Sequence, residues 1–525
     1  MKRSRHFILI SVLSIAIGVC GTLLFQLIQE KQFGKDWEYG QWRKLSLILN
    51  EVEKHYVDTI DIKKMTDAAV SSALESLDPH SVYLPPVELK ESNEDLASNF
   101  EGIGIVFNVP NDTATVLQVI VGGPSEKAGL LVGDRILQVD DKMIAGTRTP
   151  QDSMVRLMKG PAGTKVKLTI EREKERIPFE ITRGKIPLHS IDAAFMVNDT
   201  TAYLKLSKFS MSTFKEFEES MNKLKEEGMK KLIMDLRGNS GGYFEQAYRL
   251  SNEFLNAGEL IVYMEGRNRA REDFYATGSG KYKDIRLIIL QDEHSASSSE
   301  IFAGAMQDND RATIIGVRSF GKGLVQEPIN FTDGSGIRLT VARFHTPSGR
   351  CIQKPYSDRY AYDIYERYAT GEMSSVDSIK RDTSLIYKTV GGRTVYGGGG
   401  IIPDIFVPID TTKATAFYLS CNKKATSMRF ASAYYDKNKA DLKKIASMEQ
   451  LERYIQTHDI EGDFLKFAAQ RDGLKPASKK EWEKTKTYLL PQLNALVGRY
   501  SQLGENAFYK MYMEIDRTIS IAIKQ

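Results

Sequence analysis

Ser297 and Lys322 have the types and settings that nucleophilic chemistry needs. Ser297 lies in His294-Ser295-Ala296-Ser297-Ser298-Ser299-Glu300-Ile301-Phe302-Ala303-Gly304-Ala305. Its offset from Glu300 fits a capping box, in which hydroxyl and carboxylate satisfy orphan donors of a first helical turn. The same helix N-terminus offers N–H groups and a favourable dipole to a developing oxyanion, so the setting also suits a nucleophile. A nucleophilic serine needs a base, and Ser319-Phe320-Gly321-Lys322-Gly323 supplies a lysine between two glycines. Glycines let the backbone approach closely, which favours a tight, poorly hydrated site where an amine can stay neutral. Bringing a lysine from about 10.4 to 7–8 costs roughly 1.4 kcal/mol per unit, supplied by burial. Gln326, four residues after Lys322, is the local candidate to orient the amine. The bland alternative for Lys322 is a solvated loop residue.

The flanking segments predict how these residues are held. Ile285 to Leu290 is a short apolar run, as expected of a strand buried on both faces. Ile301, Ala305 and Met306 recur at helical spacing, and Ala312 to Val317 reads as a second strand. Strand, helix and strand make a right-handed parallel unit, with Ser297 facing the crevice at the carboxyl ends of the strands. Upstream, Thr201 to Leu206 reads as a strand and Thr213 to Glu227 as an amphipathic helix. Lys231 to Arg237 reads as a further strand, ending in Gly238-Asn239-Ser240-Gly241-Gly242. Paired glycines let two N–H groups point at one anion, although a plain helix-initiating turn has the same composition.

The Ser-Ala-Ser-x-Ser-Glu-Ile-x-Ala-Gly-Ala run, with Gly-Lys-Gly-x-Val-Gln behind it, resembles the carboxy-terminal processing (tail-specific) proteases. These are Ser-Lys peptidases with an embedded PDZ domain. The resemblance implies Ser297 as nucleophile, Lys322, twenty-five residues on, as general base, and Gln326 as the residue that positions the lysine. It implies an oxyanion hole from the N–H of Gly241 or Gly242 together with that of Ser298. The family usually has alanine at Ser298, so a second hydroxyl stands beside the nucleophile. Residues 99–186 resemble a PDZ domain, from Gly102-Ile103-Gly104-Ile105-Val106-Phe107 through Gly122 to Leu130 and Gly133 to Val139. Such a site takes a peptide tail as an added strand and holds its carboxylate in a turn of N–H groups. Gly102, Ile103, Gly104 and Ile105 are the candidate turn. Phe344 to Arg350 and Gly398 to Asp404 also resemble family segments, without assigned chemistry.

The expected fold is multidomain α/β: a protease core carrying an inserted PDZ β-barrel, with helical regions at both ends. The expected divisions are 1–30 as membrane anchor or signal segment, 31–98 as a helical region, 99–186 as PDZ, 187–410 as protease core and 411–525 as a helical extension. The family's amino-terminal helices often contribute to dimer contacts, which leaves homo-oligomerisation open. The tail carries an apolar stripe, Phe508, Met511, Ile515, Ile519 and Ala522, suited to packing on the core or a second subunit.

A length of 525 residues calls for several domains, and 42% hydrophobic with 27% charged residues is ordinary globular composition. A net charge of +4 over this length argues against a nucleic-acid partner. Lys2, Arg3 and Arg5 precede an uncharged stretch from Phe7 to Gln29, which reads as an export segment and uncleaved membrane anchor. Lipidation at Cys20 is disfavoured by Ile17 and Val19. Cys351 and Cys421 allow at most one bridge. The reading calls for no metal or organic cofactor. The expected partners are proteins with accessible, apolar C-termini, and the expected location is extracytoplasmic. The alternatives are a non-catalytic PDZ adaptor and a Ser-His-Asp hydrolase using His294 or His345.

Overall fold

A computed structural model describes residues 36–525, apart from 110–111, 121, 132, 173, 358 and 411–413. The expected anchor from Phe7 to Gln29, with Cys20, lies outside the described residues. No helix among the described residues is long and apolar enough to cross a membrane. The chain divides into two units, Met1–Pro85 and Pro86–Gln525.

The first unit contains helices Asp36–His55 and Ile62–Glu75 and a short strand, Val82–Leu84, which the helical periodicity did not announce. Asp61 caps the second helix by accepting the Lys64 N–H at 3.0 Å. The helix ends just ahead of Asp78-Pro79, where the Asp78 carboxylate accepts the N–H groups of His80 and Ser81.

The second unit is built on a six-stranded sheet in the order Ile191–Met196, Thr201–Leu206, Lys231–Asp235, Arg286–Gln291, Ala312–Gly316, Ile405–Phe406. The first pair is antiparallel and every later pair is parallel. Because the central strands are apolar on both sides, each face must be covered. Leu232, Met234, Leu287, Ile289 and Ile314 pack against the helices Thr213–Glu226, Phe244–Asn252 and Ser298–Asp308. Tyr203, Ile233, Ile288, Leu290 and Ile315 share the other core with Ile519 and Ala522 of the last helix, Arg517–Lys524. The expected tail stripe is therefore broken: Glu505–Tyr512 is a separate helix, and its Met511 belongs to a second helical core. That core unites Phe417, Phe430, Leu451, Phe464, Trp482 and Leu493. Its helices break at Gly473 and restart at Lys479, as the composition near Gly473 and Pro476 suggested.

The PDZ strands run in the spatial order Ile105–Asn108, Ala114–Val119, Arg135–Val139, Lys165–Arg172, Glu175–Thr182. Among the described residues this is an open path rather than a closed barrel, with Ile105–Asn108 at one edge. The insertion leaves the core through an antiparallel ribbon, Asn99–Gly102 against Gly184–Pro187. It meets the C-terminal helices where Ser432 Oγ donates to the Leu117 carbonyl at 3.4 Å and Lys443 lies 3.6 Å from Glu126. Cys351 and Cys421 are both free thiols, so the bridge the sequence allowed is not formed.

The Phe344–Arg350 segment has a structural task. Gly304 lets the serine-bearing helix close on it, since a Cβ there would lie 2.6 Å from Thr346 Cγ2. The fully buried Arg350 bonds Asp308 and Gln307 at the end of that helix, at 2.8 and 2.7 Å, and the Tyr396 carbonyl at 3.0 Å. Arg350→Met strands the buried Asp308 carboxylate. We expect a loss of about 3–5 kcal/mol, read as a lowered denaturation midpoint against an unchanged m-value.

Candidate active site

The four clustered serines are separated by what their hydroxyls do. Ser295 Oγ donates to the Leu236 carbonyl at 2.9 Å, Ser298 Oγ to Gly242 O at 2.9 Å, and Ser299 Oγ to Asn239 O at 2.8 Å. Those three are buried and fasten the serine turn to the glycine turn after strand Lys231–Asp235. Ser297 is partly exposed and takes φ 54°, ψ −115°, a sparsely populated conformation for a residue with a Cβ. It is the N-cap of the helix, and the Glu300 half of the expected capping box is made, the carboxylate accepting the Ser297 N–H while the Glu300 N–H goes to the Ser297 carbonyl.

Glu300 does more than cap. It is fully buried, and its carboxylate accepts the Ser297 N–H at 2.9 Å, Ser319 Oγ at 2.5 Å, and the N–H groups of Gly321 and Lys322 at 2.7 and 2.8 Å. Burial pushes the Glu300 carboxyl above its ordinary value, against four hydrogen bonds that favour the ionised form. One carboxylate thus ties the backbones of the serine turn and the lysine turn together. Lys322 Nζ donates to Gln326 Oε1 at 2.8 Å, the contact expected from their spacing. Gln326 sits on strand Leu324–Asn330, which pairs with Gly336–His345 and fixes its register. Behind this turn Arg367 donates to the carbonyls of Ser319 and Phe320 at 2.8 and 3.1 Å.

The glycine turn meets the serine turn directly. At Gly241, φ 100°, a Cβ would lie 2.8 Å from Ser297 Cβ and 2.9 Å from Ser298 N. At Gly242 it would overlap the Phe209 carbonyl, 2.0 Å away. The Gly241 N–H is already committed to Asn239 Oδ1 at 2.9 Å. Among the described residues, the N–H groups of Gly242 and Ser298 have no hydrogen-bond partner. Of the expected oxyanion donors, Gly242 and Ser298 are thus the ones whose N–H groups are uncommitted. The turn is braced by charges that the motif contained without indicating their use. Arg237 Nε and Nη2 bond the buried Asp235 carboxylate at 3.0 and 2.6 Å, while Tyr203 OH bonds it at 2.7 Å. Burial alone would raise the Asp235 carboxyl, but Arg237 and Lys205 more than reverse this and hold it well below the usual range.

The histidines are engaged elsewhere. His294 is exposed beside Glu293, 3.8 Å away. His345 stacks on Tyr263 and its Nδ1 lies 3.1 Å from the Gly349 carbonyl.

At the PDZ edge, Gly102, Ile103, Gly104 and Ile105 border a groove of about 300 Å³, whose walls include Phe100, Phe107, Val155, Met158 and Leu188. Gly104 takes φ 77°, and a Cβ there would meet Ile186 Cδ1 at 2.9 Å. Among the described residues, the N–H groups of Ile103 and Gly104 have no partner. An apolar groove beside an edge strand and open N–H groups suits an extended peptide ending in a carboxylate.

The model of peptidase family S41 matches residues 200–364, and that of the PDZ domain residues 115–172. Residues 417–501 match a family of unknown function. A carboxy-terminal-processing protease of Bartonella bacilliformis is 36% identical over 322 residues, covering 60% of this chain and 73% of that protein. Carboxy-terminal processing protease CtpA of Bacillus subtilis is 33% identical over 317 residues, 60% of this chain and 67% of that one. Among solved structures, the photosystem II D1 C-terminal processing protease is 23% identical, with a TM-score of 0.38 and coverage of 69% and 86%.

Glu300→Gln replaces an acceptor with an amide NH₂ facing buried donors, each worth about 1–3 kcal/mol when unsatisfied. We expect a lowered Tm together with turnover reduced about 10²-fold by misplacement of the two turns. Calorimetry and a peptide-cleavage assay on one preparation check both.

Proposed function

The chain belongs to peptidase family S41, the carboxy-terminal processing serine proteases with a PDZ domain, and from that premise we propose a Ser-Lys acyl-enzyme mechanism acting on exported proteins. Ser297 Oγ attacks the scissile carbonyl and Lys322 Nζ accepts its proton. The tetrahedral oxyanion is held by the N–H groups of Gly242 and Ser298. Lys322 returns the proton to the leaving amine, and water activated by the same lysine then hydrolyses the acyl-enzyme. Gln326 holds the lysine amine in place through its 2.8 Å contact. The observation that carries this reading is the shared anchoring of Ser297 N and Lys322 N on Glu300. It holds nucleophile and base in fixed relation without either side chain being spent on the link.

The PDZ groove selects proteins with accessible apolar C-termini, through the Gly102–Ile105 turn. In this reading residues 1–30 export and anchor the chain, 31–98 form the helical lead-in, 99–186 the PDZ domain, 187–410 the protease and 411–525 the extension. The protein then works outside the cytoplasmic membrane.

Cleavage of an unstructured protein with an apolar C-terminus tests the mechanism. We expect Ser297→Ala to fall to background and Lys322→Ala to lose about 10²–10⁴-fold, the usual range for a general base. His294→Ala should cut like the wild type. Loss through His294 with Lys322 dispensable overturns the lysine base; tail binding without any cleavage points instead to an adaptor. For the groove, fluorescence anisotropy should show that amidating a peptide's terminal carboxylate weakens its binding at least about tenfold, the loss of one charge-assisted contact. Equal binding of acid and amide rules out the Gly102–Ile105 turn as a carboxylate site.

A further inference from the structure

The C-terminal extension reaches the catalytic turn. The helix Arg517–Lys524 lies on the second face of the sheet, antiparallel to strand Lys231–Asp235. At its far end Lys231 Nζ, at the start of the strand, donates to the Ile523 carbonyl at 2.7 Å. At its near end Asp516 is the N-cap: Oδ1 accepts the Ile519 N–H at 3.1 Å. Asp516 Oδ2 lies 2.8 Å from Arg237 Nη1. The Arg237 guanidinium is therefore held from two sides, by Asp235 and by Asp516. Lys205 completes the group, since its amine is 3.6 Å from Asp235 and donates to the Arg237 carbonyl. Two cations face two carboxylates, and the cluster is neutral. Gly238, which opens the glycine turn, follows Arg237 directly.

We propose that Asp516 is a positioning residue of the protease, supplied by the extension to lock Arg237 and so fix the Gly238–Gly242 turn that offers an oxyanion donor. This rests on the catalytic reading above. Without the Asp516 charge, one carboxylate faces two cations and Nη1 loses its acceptor, so the Arg237 guanidinium is held from the Asp235 side alone. Asparagine caps a helix about as well as aspartate, so Asp516→Asn removes the charge and keeps the cap.

The test measures kcat and KM on the same unstructured protein, affinity for a peptide boronate that forms a tetrahedral adduct, and Tm. We expect Asp516→Asn to lower kcat and boronate affinity at least tenfold, with tail-peptide binding unchanged and Asp516→Glu recovering most of the kcat. Lys231→Met loosens the same helix at its other end and should lower Tm while keeping kcat. Wild-type kcat in Asp516→Asn overturns the proposal, as does an equal kcat loss in Lys231→Met at matched Tm loss. If Asp516→Asn does not fold, Asp516→Glu decides: retained kcat supports the proposal and lost kcat overturns it. Ser297→Ala and Lys322→Ala run in parallel. Should they remain active, the catalytic reading itself has failed, whatever Asp516 does.

Discussion

The geometry of the site depends on one buried carboxylate. Ser297 and Lys322 stand on different turns, separated in sequence by a helix and a strand, and neither turn is regular structure that fixes itself. Glu300 accepts hydrogen bonds from both turns at 2.7–2.9 Å, and from the Ser319 hydroxyl between them. A fully buried carboxylate is costly unless its acceptor sites are filled, so this arrangement is close to all-or-none. Losing one donor strands part of the charge, and losing the carboxylate orphans several donors at once. That cooperativity is how a pair of loop residues is held as firmly as residues on a strand.

The helix behind Ser297 is fastened by the same logic at its other end, where Asp308 meets the buried Arg350. Between these two charges the helix is apolar or small from Ile301 to Met306, and Gly304 lets Thr346 close on it. The serine turn is pinned sideways by Ser295, Ser298 and Ser299, each spending its hydroxyl on a carbonyl of residues 236–242. Ser298, the second hydroxyl beside Ser297, thus ties the serine turn to Gly242. The neck of the PDZ insertion reaches the same neighbourhood. Ser98 bonds Ser210 at 2.7 Å and Ser212 N at 3.1 Å, while Phe209, one residue before Ser210, exchanges backbone hydrogen bonds with Gly241 and Tyr243. One short segment therefore serves as the seat of both the insertion and the glycine turn.

Much of this was legible in the residues because local chemistry dominated. The apolar runs gave strands where expected, since a strand buried on both faces has little freedom in composition. The Lys322–Gln326 contact followed from spacing alone. What the sequence hid were the uses of charge. Glu300 read as a cap because the capping pattern is local, whereas its bonds to Ser319, Gly321 and Lys322 depend on how a second strand returns. Asp235 and Arg237 were visible as polar ends of an apolar strand, but their partners Lys205 and Asp516 come from distant segments. Of the two glycines expected as oxyanion donors, Gly241 has its N–H committed to the Asn239 side chain, a contact that the glycine pattern did not announce. The tail stripe read as one helix because Ile515 and Ile519 keep helical spacing across the break that Asp516 caps.

The extension cannot be a loose appendage, and the reason lies in the sheet. Ile233, Leu290 and Ile315 are fully buried on the face away from the crossover helices, and such a face left in water would cost about 25 cal/mol for each Å² exposed. Ile519 and Ala522 belong to the core that covers it, so the last helix is a layer of the protease itself. The first turn of that helix lies at the carboxyl end of strand Lys231–Asp235, where Asp516 meets Arg237. Its N-terminus needs a cap, and aspartate fills that position while adding a charge beside Arg237. Burial of the sheet thus brings the extension to the Gly238–Gly242 turn, and the cap residue makes the meeting electrostatic. The same extension touches the PDZ domain through Ser432, at Leu117 of the strand next to the edge strand Ile105–Asn108, and through Lys443 at Glu126. The extension therefore reaches both the PDZ insertion, at Leu117, and the turn after strand Lys231–Asp235, at Arg237, although more than three hundred residues separate Ser432 from Leu117 in sequence.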